Sequence, residues 1–160
     1  MRIIQGDLLN CESNHIAHVA NCQCVFGAGI ARQIREQYPE AYEADLETKK
    51  GDRNKLGTFS SANILDENKF IYNLYGQYGY GGGSVNLDYL ALEKSLWSLR
   101  DHLEGKQCND IILGFPLLMG CGLAGGDFKI VQPMVEKMFE TSGFETIWVK
   151  YKSIPKIYES

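Results

Sequence analysis

Residues 20–31 constrain this chain more than any other stretch: Ala20-Asn21-Cys22-Gln23-Cys24-Val25-Phe26-Gly27-Ala28-Gly29-Ile30-Ala31. The apolar Ile16, Ala17, Val19 and Ala20 lead into it. Ile30, Ile34 and Tyr38 leave it at four-residue spacing, and Pro39 is the stop. The pattern predicts a strand, a loop, and a helix entered through Gly27, Ala28 and Gly29. A helix start offers unpaired backbone N–H groups and a partial positive charge. Glycines let an anion approach that backbone without meeting a Cβ. Asn21 stands where the strand ends, so its amide is expected in the same cleft. The stretch therefore reads as a binding loop for a phosphorylated ligand, with an ordinary strand-to-helix turn as the alternative.

The rest of the chain alternates between strand and helix patterns. Ile3 and Ile4 open a strand that ends at Gly6-Asp7, and residues 15–20 form a second, apolar but for His18. Arg32, Arg35 and Glu36 fall on the outer face of the first helix. Residues 40–50, with only Tyr42 and Leu46 as an apolar stripe, read as a surface helix. Two strands, 56–65 and 70–75, flank a polar turn at Asp66-Glu67-Asn68-Lys69. Residues 76–84 hold five glycines, too many for an element interior, and read as a lid carrying Tyr78 and Tyr80 or as a connector. Leu92, Leu96, Leu99 and Leu103 give residues 87–103 a helical core stripe, with Asp88 at the start.

An apolar strand over 110–116 then leads to a second glycine loop, Met119-Gly120-Cys121-Gly122-Leu123-Ala124-Gly125-Gly126-Asp127-Phe128. The following helix turns Val131, Val135, Met138 and Phe139 inward, with Asp127 as its N-cap and Pro133 expected to kink it. Residues 146–151 form the last strand. This order predicts an α/β fold: a three-layer α/β/α domain around a central mixed, largely parallel sheet. Ligands in such sheets bind outside the carboxyl ends of the strands, where both glycine loops and Asp7 fall.

At 160 residues the chain is sized for one domain, 1–160. Its net charge of −4 argues against a general nucleic-acid surface. No apolar run approaches the roughly 20 residues of a membrane span, and the start reads as a strand and not a signal peptide. Five cysteines (Cys11, Cys22, Cys24, Cys108, Cys121) lack metal-type spacing and read as reduced thiols of a cytoplasmic protein. No metal cluster or cofactor motif is visible. The Walker loop is absent, and the Gly-x-Gly-x-x-Gly fingerprint is absent at the first strand-to-helix turn.

Gly6-Asp7, Asn21 ahead of Gly27-Ala28-Gly29-Ile30-Ala31, and Gly120-Cys121-Gly122-Leu123-Ala124-Gly125-Gly126-Asp127 together resemble the macrodomain family of ADP-ribose binders. The likeness is strongest to the subgroup of ADP-ribose-1″-phosphate phosphatases and terminal ADP-ribose glycohydrolases. That resemblance implies a ligand set of Asp7 and Leu8 at the adenine end and Gly27, Ala28, Gly29 and Ile30 on one side of the diphosphate. Gly120, Cys121, Gly122, Leu123 and Ala124 would lie on its other side, and Tyr151 would stack on adenine. It also implies that Asn21 meets the distal ribose and that His18 or Asp127 orients or deprotonates water.

The glycohydrolases carry a nucleophilic lysine in the loop after the fourth strand. Residues 76–84 contain none. The resemblance therefore implies a metal-independent, monomeric phosphatase acting on ADP-ribose-1″-phosphate. An ADP-ribosyl hydrolase acting on protein or nucleic acid and a non-catalytic ADP-ribose-binding module are the alternatives.

Overall fold

A computed structural model describes residues 1–81, 85–106 and 110–152. Gly82, Gly83 and Ser84 of the glycine-rich loop, and Cys108, lie outside them.

The apolar runs become six strands: β1 (Arg2–Gly6), β2 (His15–Asn21), β3 (Phe59–Ile64), β4 (Lys69–Gln77), β5 (Ile112–Pro116) and β6 (Glu145–Tyr151). They pair in the order β1-β6-β5-β2-β4-β3, with every pairing parallel except β3 against β4. The sheet is mixed and largely parallel, as its sequence predicts. β2 and β4 are the most enclosed strands. Ile16, Ala17, Ile71, Tyr72 and Leu74 are fully buried, as expected of strands covered on both faces.

Four helices cover the two faces: α1 (Gly29–Gln37), α2 (Pro39–Leu46), α3 (Tyr89–Glu104) and α4 (Phe128–Phe139). One core layer joins Ile16, Ala20, Phe26, Ile34, Tyr38, Ala41 and Ile71 under α1 and α2. The other joins Ala17, Leu74, Leu92, Leu96, Leu99, Phe115, Val131, Val135 and Trp148 under α3 and α4. The result is the three-layer arrangement. The leucine stripe of α3 is buried throughout, and the Asp88 carboxylate caps that helix by accepting from Ala91 N at 3.0 Å.

One local expectation changes. Pro39 ends α1 but also starts α2, occupying the first turn where its missing N–H costs nothing. The helix that follows is not merely a surface element, because Ala41 and Asp45 are fully buried against the sheet. α4 runs through Pro133, whose ring removes a bond to the Lys129 carbonyl. Val131 before it and Val135, Met138 and Phe139 after it are buried and hold both halves of the helix on the sheet.

Candidate functional site

β2 and β5 are parallel neighbours whose onward connections run to opposite sides. β2 leads through α1 and α2 toward β3 and β4, while β5 leads through α4 to β6. Such a reversal opens a crevice beyond the carboxyl ends of the two strands. The two glycine loops are the segments that leave β2 and β5, so they flank that crevice.

The first loop is braced from within. Asn21 ends β2 at a register irregularity, and its Nδ2 donates to Val25 O at 2.8 Å while Oδ1 accepts from Gln23 N at 2.9 Å. Below the loop, Lys55 is buried and its Nζ donates to Cys22 O at 3.3 Å and to Cys24 Sγ at 3.6 Å. Above it, Gly27, Ala28 and Gly29 are exposed, and Gly29 takes φ +58°, a conformation that favours glycine. No side chain caps α1 and no acidic residue sits in its first turn. Among the described residues, no side chain occupies the N–H groups of that turn, which opens at the end of the loop leaving β2.

The second loop turns at Leu118 (φ +64°), Gly120 (φ +74°) and Gly125 (φ +72°). Gly126 N donates to Gly120 O at 2.9 Å and closes it on itself. The N–H groups of Gly122, Leu123 and Ala124 meet no protein acceptor among the described residues. The crevice thus has backbone donors on both walls, an arrangement that suits an anion with two negative groups. Cys121 lies half-buried in this loop. Burial first, and then the Asp127 charge, push its thiol up from its ordinary value.

Beside α1, a groove of about 370 Å³ is lined by Asp7, Leu9, Gln33, Glu36, Gln37 and Tyr151. Asp7 and Tyr151, far apart in sequence, share it because β1 and β6 are parallel neighbours paired from Arg2 and Ile147 to Gly6 and Tyr151. The Asp7 carboxylate already accepts from Leu9 N at 3.0 Å and Asn10 Nδ2 at 2.7 Å. The Leu8 side chain is buried in the core and leaves only its backbone for a ligand. A second cavity, about 570 Å³ around Asp110, Ser142 and Glu145, opens at the amino ends of β5 and β6, away from both loops.

The residues expected to act on water differ in their surroundings. Asp127 is exposed at the start of α4, where Oδ1 accepts from Lys129 N at 2.9 Å and its own N–H donates to the Tyr89 hydroxyl at 2.9 Å. Asn21 is buried and uses its amide on the loop. His18 does not line the crevice and lies on the other side of the sheet from α4, which corrects the role expected of it. Its ring is wholly buried, edge-on to Phe26, with Nε2 2.7 Å from Asn73 Oδ1. Asn73 Nδ2 donates to Ala41 O and Ser60 Oγ, both at 3.0 Å, so its Oδ1 accepts and His18 Nε2 carries the proton. Burial holds the imidazole near 4, neutral at physiological pH.

The lid reading of Tyr78 also changes. Its carbonyl accepts from Cys22 N, its hydroxyl donates to Gly51 O at 2.8 Å, and the Arg53 guanidinium lies 4.0 Å from its ring centre. Only Tyr80 of the pair is exposed. Two functional-looking groups are absent from any sequence motif: Lys55 beneath the first loop and the buried Asp45, whose Oδ1 accepts from Tyr75 OH at 2.6 Å. The Lys55–Cys22 and Asp45–Tyr75 hydrogen bonds span some thirty residues, so no local signal marks them. Among the described residues, no three of His, Cys, Asp and Glu stand where they could hold a metal ion, and no helix is long and apolar enough to cross a membrane.

No family model and no curated protein sequence matches the chain. Solved structures do. The macrodomain of Thermus aquaticus DarG superposes with a TM-score of 0.74 at 19% identity, over 95% of this chain and 97% of that one. The Oceanobacillus iheyensis macrodomain with ADP gives 0.69 at 17% identity, over 94% and 82%. The chain folds as a macrodomain. Thermosipho africanus DarTG in complex with ADP-ribose gives 0.68 at 17% identity, over 98% of this chain and 44% of that longer one. These likenesses extend through both glycine loops, since they cover nearly the whole of this macrodomain.

Proposed function

We propose that this macrodomain binds ADP-ribose, with the diphosphate gripped between the start of α1 and residues 120–124. The observation that carries this reading is the uncapped, glycine-lined start of α1, set across the switch point from a loop whose Gly122, Leu123 and Ala124 amides have no acceptor among the described residues. Each charge-assisted contact to a phosphate oxygen contributes roughly 1.5–3 kcal/mol. Adenine then occupies the groove between Asp7 and Tyr151, and the distal ribose extends toward Asn21 and Asp127. The structural neighbours crystallised with ADP and with ADP-ribose support a ligand of this class.

The finer reading places the protein with the ADP-ribose-1″-phosphate phosphatases. Asp127 is the exposed carboxylate at the second loop and orients the water that attacks the terminal phosphate, while the loops hold the substrate in place. The second reading is a binding module without turnover, favoured by the sealed His18 and the engaged Asn21 amide. Calorimetry with ADP-ribose tests the binding, and inorganic phosphate release from ADP-ribose-1″-phosphate tests the turnover. Gly122→Glu, which puts a bulky anion in the open space beside the unpaired Gly122 and Leu123 amides, is expected to abolish the binding heat; undiminished affinity in that variant overturns the two-loop grip.

A further inference from the structure

The segment leaving β4 is fastened to both glycine loops. On one side Tyr78 O accepts from Cys22 N and from Gln23 Nε2, both at 3.1 Å, at the root of the first loop. On the other side the N–H groups of Asn86 and Leu87 both donate to Ala124 O, at 2.8 and 3.1 Å, inside the second loop. The two fastenings are tied to each other, because Gln77 and Leu87 pair as an antiparallel bridge and Asp88 N donates to Gly76 O at 2.8 Å.

The Leu87 side chain completes this connection. It is 5% exposed and fills the inner side of the second loop. Its methyls stand 3.0 Å from where a Cβ on Gly120 would lie and 2.4 Å from one on Gly126. The two glycines are therefore shaped around this leucine, and the loop's positive-φ turn at Gly120 rests directly on it.

We propose that Leu87 is a positioning residue: through its contact with Gly120 and Gly126 it sets the distance of the second loop from the first. The inference rests on the reading that both loops grip one diphosphate, and it deepens that reading. A ligand that spans the two loops depends on the spacing. A shorter nucleotide that occupies the Asp7–Tyr151 groove and the start of α1 does not.

Leu87→Ala tests this with two readouts. Calorimetry compares ADP-ribose with AMP, and the variant is expected to lose about tenfold in affinity for ADP-ribose while AMP changes by less than about twofold. Hydrogen–deuterium exchange of the unliganded protein is expected to quicken in residues 119–126 and to stay unchanged in α3, which controls for loss of the fold. Leu87→Met, which refills the space, restores both readouts. Equal losses for ADP-ribose and AMP, or unchanged exchange in residues 119–126, overturn the proposal. A wild-type protein that binds no ADP-ribose overturns the binding reading instead, and the exchange result still decides what Leu87 does to the loop.

Discussion

His18 Nε2 donates to Asn73 Oδ1 across 2.7 Å, and both side chains are fully buried between the sheet and α2. The chain of contacts continues from Asn73 to Ser60, from Ser60 to the Tyr75 hydroxyl at 2.8 Å, and from Tyr75 to Asp45. Its two ends, His18 Nδ1 and Asp45 Oδ2, have no hydrogen-bond partner among the described residues. An imidazole placed this way is a core group, and its energetic consequence is a pH dependence of folding.

Burial lowers His18 from 6.5 to about 4, so the unfolded chain takes up a proton first as pH falls. Stability is complete above about pH 6.5 and declines toward pH 4, by up to about 3 kcal/mol for this group. His15, also lowered to about 4 by burial, acts in the same direction; Asp45, raised by burial, acts against it at the acid end. Denaturant midpoints measured at pH 7, 6 and 5 are expected to fall in that order. His18→Gln is expected to flatten the slope, and an unchanged slope in that variant contradicts the account.

Asp127 has two separable roles. Asp127→Ala removes the bond from Lys129 N and is expected to cost about 1 kcal/mol of stability. Asp127→Asn keeps the cap but loses the carboxylate, so phosphate release is expected to fall about a hundredfold with the melting temperature nearly unchanged. Wild-type turnover in the Asn variant means that Asp127 is a cap alone.

Gly126 has no room for a side chain. A Cβ there would lie 2.6 Å from the Gly120 carbonyl oxygen and 2.4 Å from Leu87. Gly126→Ala is expected to destabilise the protein by about 1–3 kcal/mol, read from a melting curve, because one of the two neighbours is backbone and cannot turn aside. A melting temperature equal to wild type means that the second loop is shaped differently.

Cys121 sits among the backbone donors without being a ready nucleophile. Burial and the nearby Asp127 both favour its neutral thiol. Alkylation followed by peptide mass spectrometry is expected to label Cys121 more slowly than a free thiol at pH 7. Fast labelling at that pH contradicts the assignment.

The fold was legible because it is written in local apolar runs: β2 and β5, the α3 leucine stripe, and Asp88 and Asp127 at helix starts all lie where their patterns place them. α2 was harder to read. A single proline served as both stop and start, and the helix buries the charged Asp45 that a hydrophobic pattern does not flag. Within the site, the glycine loops follow from sequence because backbone conformation follows from glycine. The positions of His18, Tyr78 and Lys55 do not, because each side chain is set by hydrogen-bond partners 27 to 55 residues away. A histidine at the right spacing before Asn21 says nothing about which face of β2 it takes or whether that face is open.

The central claim is that one diphosphate is gripped from both sides of the β2–β5 crevice. A crystal structure of the protein with ADP-ribose tests it most directly. The account predicts the two phosphates between the N–H groups at the start of α1 and those of Gly122, Leu123 and Ala124, with adenine against Tyr151. A nucleotide seated elsewhere, or touching only one of the two loops, contradicts it.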